Sequence, residues 1–230
     1  MQNLPIADVY QKEFLYMPWG ILMDRVQKIV IEKAPVGGRV LDLLCGPGYL
    51  LGELRKERSD LSFVGVDMEE EFISYATIRH PGIEFIVSDA AEWNTEEQYD
   101  VVLCTGGLHH LAYEKQELFL QKVARLLKSS GFAIIADPYI DEYKNEDERK
   151  LVGAKLGYEY LVATMKNGAP EDVIISTIGI LQNDVLLVEF KSSIKKLQPI
   201  FEKTFSRVEK EKTWPVENTE YGDYMFILKP

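Results

Sequence analysis

From Arg39 to about Tyr139 the chain alternates short runs of β-branched and aliphatic residues with longer stretches whose apolar positions return every three or four residues. The short runs are RVLDLL from Arg39, LSFVGVD from Leu61, IEFIVSD from Ile83, DVVLCT from Asp100 and FAIIAD from Phe132. Each is nearly continuous in apolar character, as a strand buried on both faces requires. Between them YLLGELRKER, MEEEFISYATIRH and EKQELFLQKVARLLKSSG carry the helical period. The Ser-Ser-Gly that ends the last of these predicts a helix stop ahead of the fifth strand. Strands and helices in alternation predict a parallel sheet covered on both faces, a three-layer α/β sandwich.

Two flanks depart from this rhythm. Residues 1–36 contain VYQKEFLYMPWGILMDRVQKIVIEKAP, which reads as N-terminal amphipathic helices interrupted at Pro18 and closed at Pro35. Residues 140–190 hold two further helical patterns, NEDERKLVGAKLGYEYLVATMKNG and PEDVIISTIGILQNDVLLVEF, with Gly168 ending the first and Pro170 opening the second. This insertion enters after Asp137, Pro138 and Tyr139, at the carboxyl edge where open parallel sheets bind ligands, so a helical cap over a substrate is expected. Its apolar faces, with Leu156, Tyr160, Ile174, Ile178 and Leu181, are the alternative surface for a dimer contact, and a monomer or a homodimer is expected. The chain then offers a helix, SSIKKLQPIFEKTF, and two strands, RVEKEKTW and DYMFILK. An antiparallel C-terminal hairpin at one edge completes a mostly parallel sheet of seven strands.

With 230 residues and 46% hydrophobic content the chain supports one substantial core, and a single domain over 1–230 is expected. The formal net charge is −11, from 37 acidic against 26 basic residues, without a dense Lys/Arg run. That balance repels a phosphate backbone, so no nucleic acid partner is expected. No stretch approaches the roughly 20 apolar residues of a spanning helix, and two cysteines are too few for a disulfide framework. Both observations lead to an expectation of a cytoplasmic protein without a membrane partner.

The strongest local signal is VLDLLCGPGYL from Val40, where a strand runs through a glycine-containing turn straight into a helix. Gly46 and Gly48 let the backbone approach a ligand closely. Nineteen residues beyond Gly48 the second strand ends in Asp67, placed to accept hydrogen bonds from ribose hydroxyls. Asp89, after the third strand, lies on the same edge and can accept from an adenine amino group. Asp42 with the glycines, Asp67 and Asp89 together read as a nucleoside site.

These residues resemble the class I S-adenosylmethionine-dependent methyltransferases of the small-molecule type, well over Arg39 to Asp137 and in outline over the flanks. The resemblance implies a Rossmann-like sandwich with S-adenosyl-L-methionine as cofactor. It gives Asp42, Gly46 and Gly48 the contact with the methionine part, with Leu44 standing in that turn where the family usually has glycine. It places Asp67 on the ribose hydroxyls, Met68 against adenine, Asp89 as the third acid with the Ala90 amide beside it, and Thr105 next to the cofactor. The loop after the fourth strand, LCTGGLHHLAYEKQ, faces the methyl acceptor in similar proteins. His109 and His110 there are the candidate general base, since an imidazole can take a proton near neutral pH. The alternative is that one of them caps the following helix while the other is buried and hydrogen bonded.

Tyr10, Phe14, Tyr16 and Trp19 are expected to line the acceptor pocket, touch a sulfonium through cation–π attraction, or simply pack on the sheet. No metal is expected, because the catechol-type subgroup of this family carries an acid where this chain has Cys104 and Thr105. The resulting expectation is methyl transfer to an O, N or C atom of a small metabolite or natural-product acceptor. The alternative is a methyltransferase fold that binds S-adenosylmethionine or S-adenosylhomocysteine without transfer, as a lyase, cyclase or binding module. A nicotinamide dehydrogenase fits poorly, since a GxGxxG pattern from Gly46 meets Leu51 where its third glycine belongs.

Overall fold

The structure, a computed structural model, describes residues 6–187 and 189–230. Residues 1–5 of the expected N-terminal segment and Val188 of the expected cap lie outside the described residues. Strands β1 (Arg39–Leu43), β2 (Ser62–Asp67), β3 (Glu84–Val87), β4 (Tyr99–Thr105), β5 (Leu127–Tyr139), β6 (Arg207–Trp214) and β7 (Gly222–Lys229) form one sheet in the order β3-β2-β1-β4-β5-β7-β6. The first five pair in parallel, and β7 runs antiparallel to both β5 and β6. The order reverses between β1 and β4, which opens a crevice at the carboxyl ends of those two strands.

The continuous apolar runs bury both faces of the strands. Along β4, Val101 and Leu103 enter one core while Val102 and Cys104 enter the other. Along β7, Met225 and Ile227 alternate with Phe226 and Leu228 in the same way. Helices α2 (Trp19–Lys33) and α3 (Tyr49–Glu57) cover the first face, and α5 (Tyr113–Leu126) and α8 (Ile194–Thr204) the second. Helix α4 (Glu70–Arg79) packs beside β2 and β3. The edge strand β6 is half-buried and rich in Lys, Arg and Glu, a composition that discourages further strand pairing.

The N-terminal pattern folds as two helices, α1 (Ala7–Tyr16) and α2, parted at Met17–Pro18. The insertion folds as α6 (Glu146–Lys166) and α7 (Glu171–Leu186). Asn145 caps α6 by accepting the Glu148 N–H at 3.0 Å, and Gly168, at φ 73°, takes the left-handed turn after it.

One local expectation is corrected. Ser129-Ser130-Gly131 does not stop a helix; α5 ends at Leu126 and the chain is already extended at Leu127, where β5 begins. A side chain at 131 would lie 2.9 Å from the Asp100 carbonyl, so this glycine serves close strand contact, beside the register shift between Tyr99 and Val101. Lys128, paired with Asp100 at 2.8 Å, fixes the same corner.

Candidate functional site

The turn after β1 is shaped by left-handed residues: Leu44 at φ 62°, Gly46 at φ 53° and Gly48 at φ 76°. Leucine at such a φ is strained by an order of 1–3 kcal/mol unless its surroundings hold it there. They do. The Leu44 and Cys45 N–H groups donate to the Val66 carbonyl at 2.8 and 3.1 Å. The Leu44 side chain lies against Gly107, where a Cβ would come within 2.8 Å of the Leu44 Cβ. The glycine missing from the turn has its counterpart in the β4 loop that faces it.

Asp67 ties this turn to β2, accepting the Gly46 N–H at 2.8 Å and the Glu69 N–H at 3.0 Å. Asp42 is buried below it, and its Oδ1 has no hydrogen-bond partner among the described residues. Burial and the charge of Asp67 push the Asp42 carboxyl up to about 8. An unpartnered buried carboxylate oxygen beside a glycine cradle suits a ligand carrying hydrogen-bond donors or positive charge. Gly48 lets α3 start tight against the sheet, since a Cβ there would sit 2.7 Å from the Phe85 ring.

Met68 follows Asp67 with 63% of its surface exposed, available to lie on a flat ligand. Asp89 stands two residues past the end of β3 and folds back, accepting the Ala91 N–H at 2.8 Å. The Ala90 carbonyl is held by Lys122. Asp42, Leu44, Gly46, Gly48, Asp67, Met68, Asp89 and Ala90 thus follow one another along the carboxyl edge from β1 to β3, and buried Thr105 ends β4 beside them. Cys45 and Cys104 are free thiols, each pushed up by burial, as packed rather than reactive cysteines are.

Beyond β4 this edge opens into a cavity of about 130 Å³. Tyr10, Glu13 and Trp19 reach it from the N-terminal helices. Trp19 packs on Gly106, where a Cβ would meet its ring at 2.9 Å, and Tyr10 covers Gly46. The other two aromatic residues of that segment turn away: Phe14 stacks on Tyr49 at 4.2 Å, and Tyr16 packs against the core. The cap contributes Tyr160, Ile180 and Asn183, and the chain leaving α7 brings Glu189 and Lys191. Ser176 of α7 donates to Glu13, and Lys12 pairs with Asp172 at 2.6 Å, so α1 and the cap close over the cavity together.

His109 and His110 form its floor, their rings 4.0 Å apart. The main-chain N–H of His109 donates to Asp137 Oδ2 at 3.0 Å, and its Nδ1 lies 2.9 Å from Asp137 Oδ1. An ionised Asp137 accepts from Nδ1–H and leaves Nε2 as the basic nitrogen. Burial, with the charges of His110 and Lys191, holds His109 well below the usual histidine range, so the ring is neutral at pH 7. Burial raises Asp137 to about 7 and Glu13 likewise to about 7. Glu189 goes the other way: burial pushes it up, but the hydrogen bond from His110 and the charges of both histidines and Lys191 hold it down at about 2. His110 Nδ1 lies 3.3 Å from Glu189 Oε2.

Glu13, Glu189 and Lys191 escape a reading by sequence. Glu13 sits among Tyr10, Phe14 and Met17 on the inward stripe of α1, and an acid on that stripe was the available signal. Glu189 falls where the helical pattern of α7 was expected to continue to Phe190, and Lys191 lies just past that pattern. The helix ends at Leu186 instead, and the extended chain carries them back to the sheet edge.

Residues 40–131 match the family described as "Methyltransferase domain". A probable phthiotriol/phenolphthiotriol dimycocerosates methyltransferase 2 of Mycobacterium ulcerans is 33% identical over 104 residues, 44% of this chain and 40% of that protein. A fatty-acid O-methyltransferase of Mycolicibacterium smegmatis is 30% identical over 123 residues, 52% of this chain and 44% of its own length. The match therefore spans less than half the length of these relatives. The crystal structure of the PH0226 protein from Pyrococcus horikoshii superposes with a TM-score of 0.63 at 20% identity, covering 100% of this chain and 94% of that one. The match to a methyltransferase domain covers the strands from β1 to β4 and, with them, the acidic, glycine-bearing carboxyl edge.

Proposed function

We propose that this protein transfers the methyl group of S-adenosylmethionine to an oxygen, nitrogen or carbon atom of a small-molecule acceptor held in the capped cavity. The observation that carries this reading is one continuous edge. A glycine turn over a partnerless buried Asp42 oxygen runs directly into a cavity floored by a neutral, carboxylate-held histidine. The relatives that act on a fatty acid or on phthiotriol lipids by name favour a small acceptor over a macromolecule, as does the formal charge of −11.

The cofactor supplies an electrophilic methyl on a sulfonium, and displacement of that methyl needs alignment and dryness more than dedicated chemistry. Asp42, Gly46 and Gly48 would hold its amino-acid end, Asp67 its ribose and Asp89 its base, with Met68, the Ala90 amide and Thr105 as further contacts. Tyr10 and Trp19 supply aromatic faces beside the turns at Gly46 and Gly106, which favour positive charge. Helices α1 and α7 exclude water. His109 takes the acceptor proton at Nε2, because Asp137 fixes its tautomer and burial keeps it neutral. His110 stands beside it, oriented by Glu189.

The test is incubation with S-adenosylmethionine labelled in its methyl group and a panel of small acids, alcohols and amines, with products followed by mass spectrometry. Label in a product with wild type, at least about a hundredfold less of it with His109→Ala, is the expected result. Cofactor binding with no transfer to any acceptor would support a binding module instead.

A further inference from the structure

The cavity wall holds a second constellation, separate from the glycine turn. One ring nitrogen of His109, one of His110 and a carboxylate oxygen of Glu189 lie within 4.8 Å of one another. Glu189 reaches the histidines because the chain after α7 is clamped in an extended path. The Phe190 N–H donates to the His109 carbonyl at 2.9 Å, Gln116 Nε2 to the Phe190 carbonyl at 3.2 Å, and the Tyr113 hydroxyl to the Lys191 carbonyl at 3.0 Å. The main chain immediately after Glu189 is thereby fixed, and its carboxylate is buried against the histidines.

The surroundings of each group suit a ligand. Asp137 takes both His109 Nδ1 at 2.9 Å and the His109 N–H at 3.0 Å, which sets the ring and leaves Nε2 to coordinate. A carboxylate behind a histidine is the usual second contact of a metal-bound imidazole. His110, with its side chain 33% exposed, gives a path from solvent. Lys191, which also lines the cavity, is held by Asp184 at 2.5 Å, so its charge is balanced without Glu189.

We propose that His109, His110 and Glu189 form a binding site for a divalent transition-metal cation, with the position toward the cavity left for a fourth ligand. Two imidazoles and one carboxylate select zinc and its neighbours over magnesium or calcium, which favour oxygen ligands. Three protein ligands with one open position is the arrangement of reactive rather than purely structural zinc sites. Bonds of about 2.1 Å place ligand atoms roughly 3.4 Å apart, so side-chain rotations of about an ångström close the triad on an ion. A cation and a proton cannot share the Nε2 lone pair, so the loaded site and the His109 base are alternative states of one atom. The site requires neither the cofactor nor methyl transfer.

The experiment is a calorimetric titration of the full chain with Zn²⁺, with Mg²⁺ as control, repeated with Co²⁺ to follow its visible absorption. One equivalent of Zn²⁺ binds, Mg²⁺ does not compete, and Co²⁺ gives the intense band of a four-coordinate site. Glu189→Gln and His110→Gln each weaken Zn²⁺ at least tenfold, and Asp137→Asn weakens it about tenfold through His109. His110 is the exposed member, so His110→Gln keeps the test sound if Glu189→Gln disturbs the fold, with circular dichroism reporting on both. No stoichiometric Zn²⁺ binding overturns the proposal, and so does binding whose affinity is the same in both variants.

Discussion

The glycine turn and the cavity beside it share one sheet edge but are built in opposite ways. The turn is local: Asp42, Leu44, Gly46 and Gly48 lie within seven consecutive residues, and their partners Val66 and Asp67 end the adjacent strand. The cavity draws on α1, the β4 loop, β5, both cap helices and the chain beyond them. The turn therefore depends on backbone conformation, which few residue types supply. The cavity depends on burial, which shifts the acidity of ordinary residues and is settled by the whole fold. A substitution in the turn should act on binding and stability, and one at the histidine floor of the cavity or at its Asp137 support on turnover and its pH dependence.

The sharpest way to break that division is His109→Ala. Turnover should fall by about 10³, while the cofactor dissociation constant, measured by calorimetry, stays within threefold of wild type. A comparable loss of cofactor affinity would show that the two regions are not separable.

Asp137→Asn comes next, with turnover expected to fall about a hundredfold, because an amide no longer fixes Nδ1–H. Burial raises Asp137 to about 7 and lowers His109. The base works only once the carboxyl has ionised, so kcat/KM of the wild type should rise with pH through a limb near 7. The Asn variant should lack that limb, and a pH–rate profile of both proteins decides it.

Glu13→Gln acts on stability. The folded carboxyl titrates at about 7, above its ordinary range, because it is buried. Folding thus favours its protonated form, and the chain loses stability as pH rises from about 4.5 through 7. Glutamine keeps an oxygen for the Ser176 hydroxyl and removes the charge. Urea unfolding should show the variant more stable by up to about 3 kcal/mol at pH 8, with most of the gain gone at pH 5.

The smallest expected effect concerns the exchange of leucine and glycine between facing loops. Gly107→Ala puts a Cβ 2.8 Å from that of Leu44 and should cost about 2 kcal/mol. Adding Leu44→Gly should restore most of it, whereas Leu44→Gly alone should stay within about 1 kcal/mol of wild type, since relief of strain offsets lost packing. Additive costs in the double variant would mean that the two positions do not compensate.

The same contrast decides what was legible in the sequence. The strands announce themselves because both faces are buried and their apolar runs are unbroken, and the antiparallel hairpin because it follows the last helix with a polar turn. Leu44 was visible as a departure, but its compensation by Gly107 was not, because the contact joins residues far apart in the chain. Ser129-Ser130-Gly131 misled because glycine serves helix ends and close strand contacts alike. His109 and His110 were visible as residue types. Their roles rest on Asp137 and Glu189, and Glu189 sits in an apolar run that no local pattern distinguishes from helix.

The most direct test of the central claim is a calorimetric titration of the protein with S-adenosylmethionine, S-adenosylhomocysteine and NAD, repeated with Asp67→Ala. Micromolar binding of both sulfur nucleosides, weakened by at least about a hundredfold in the variant, is the predicted result, since Asp67 both accepts ribose hydroxyls and holds the Gly46 amide. Binding of NAD alone, or of the nucleosides with equal affinity to both proteins, would contradict it.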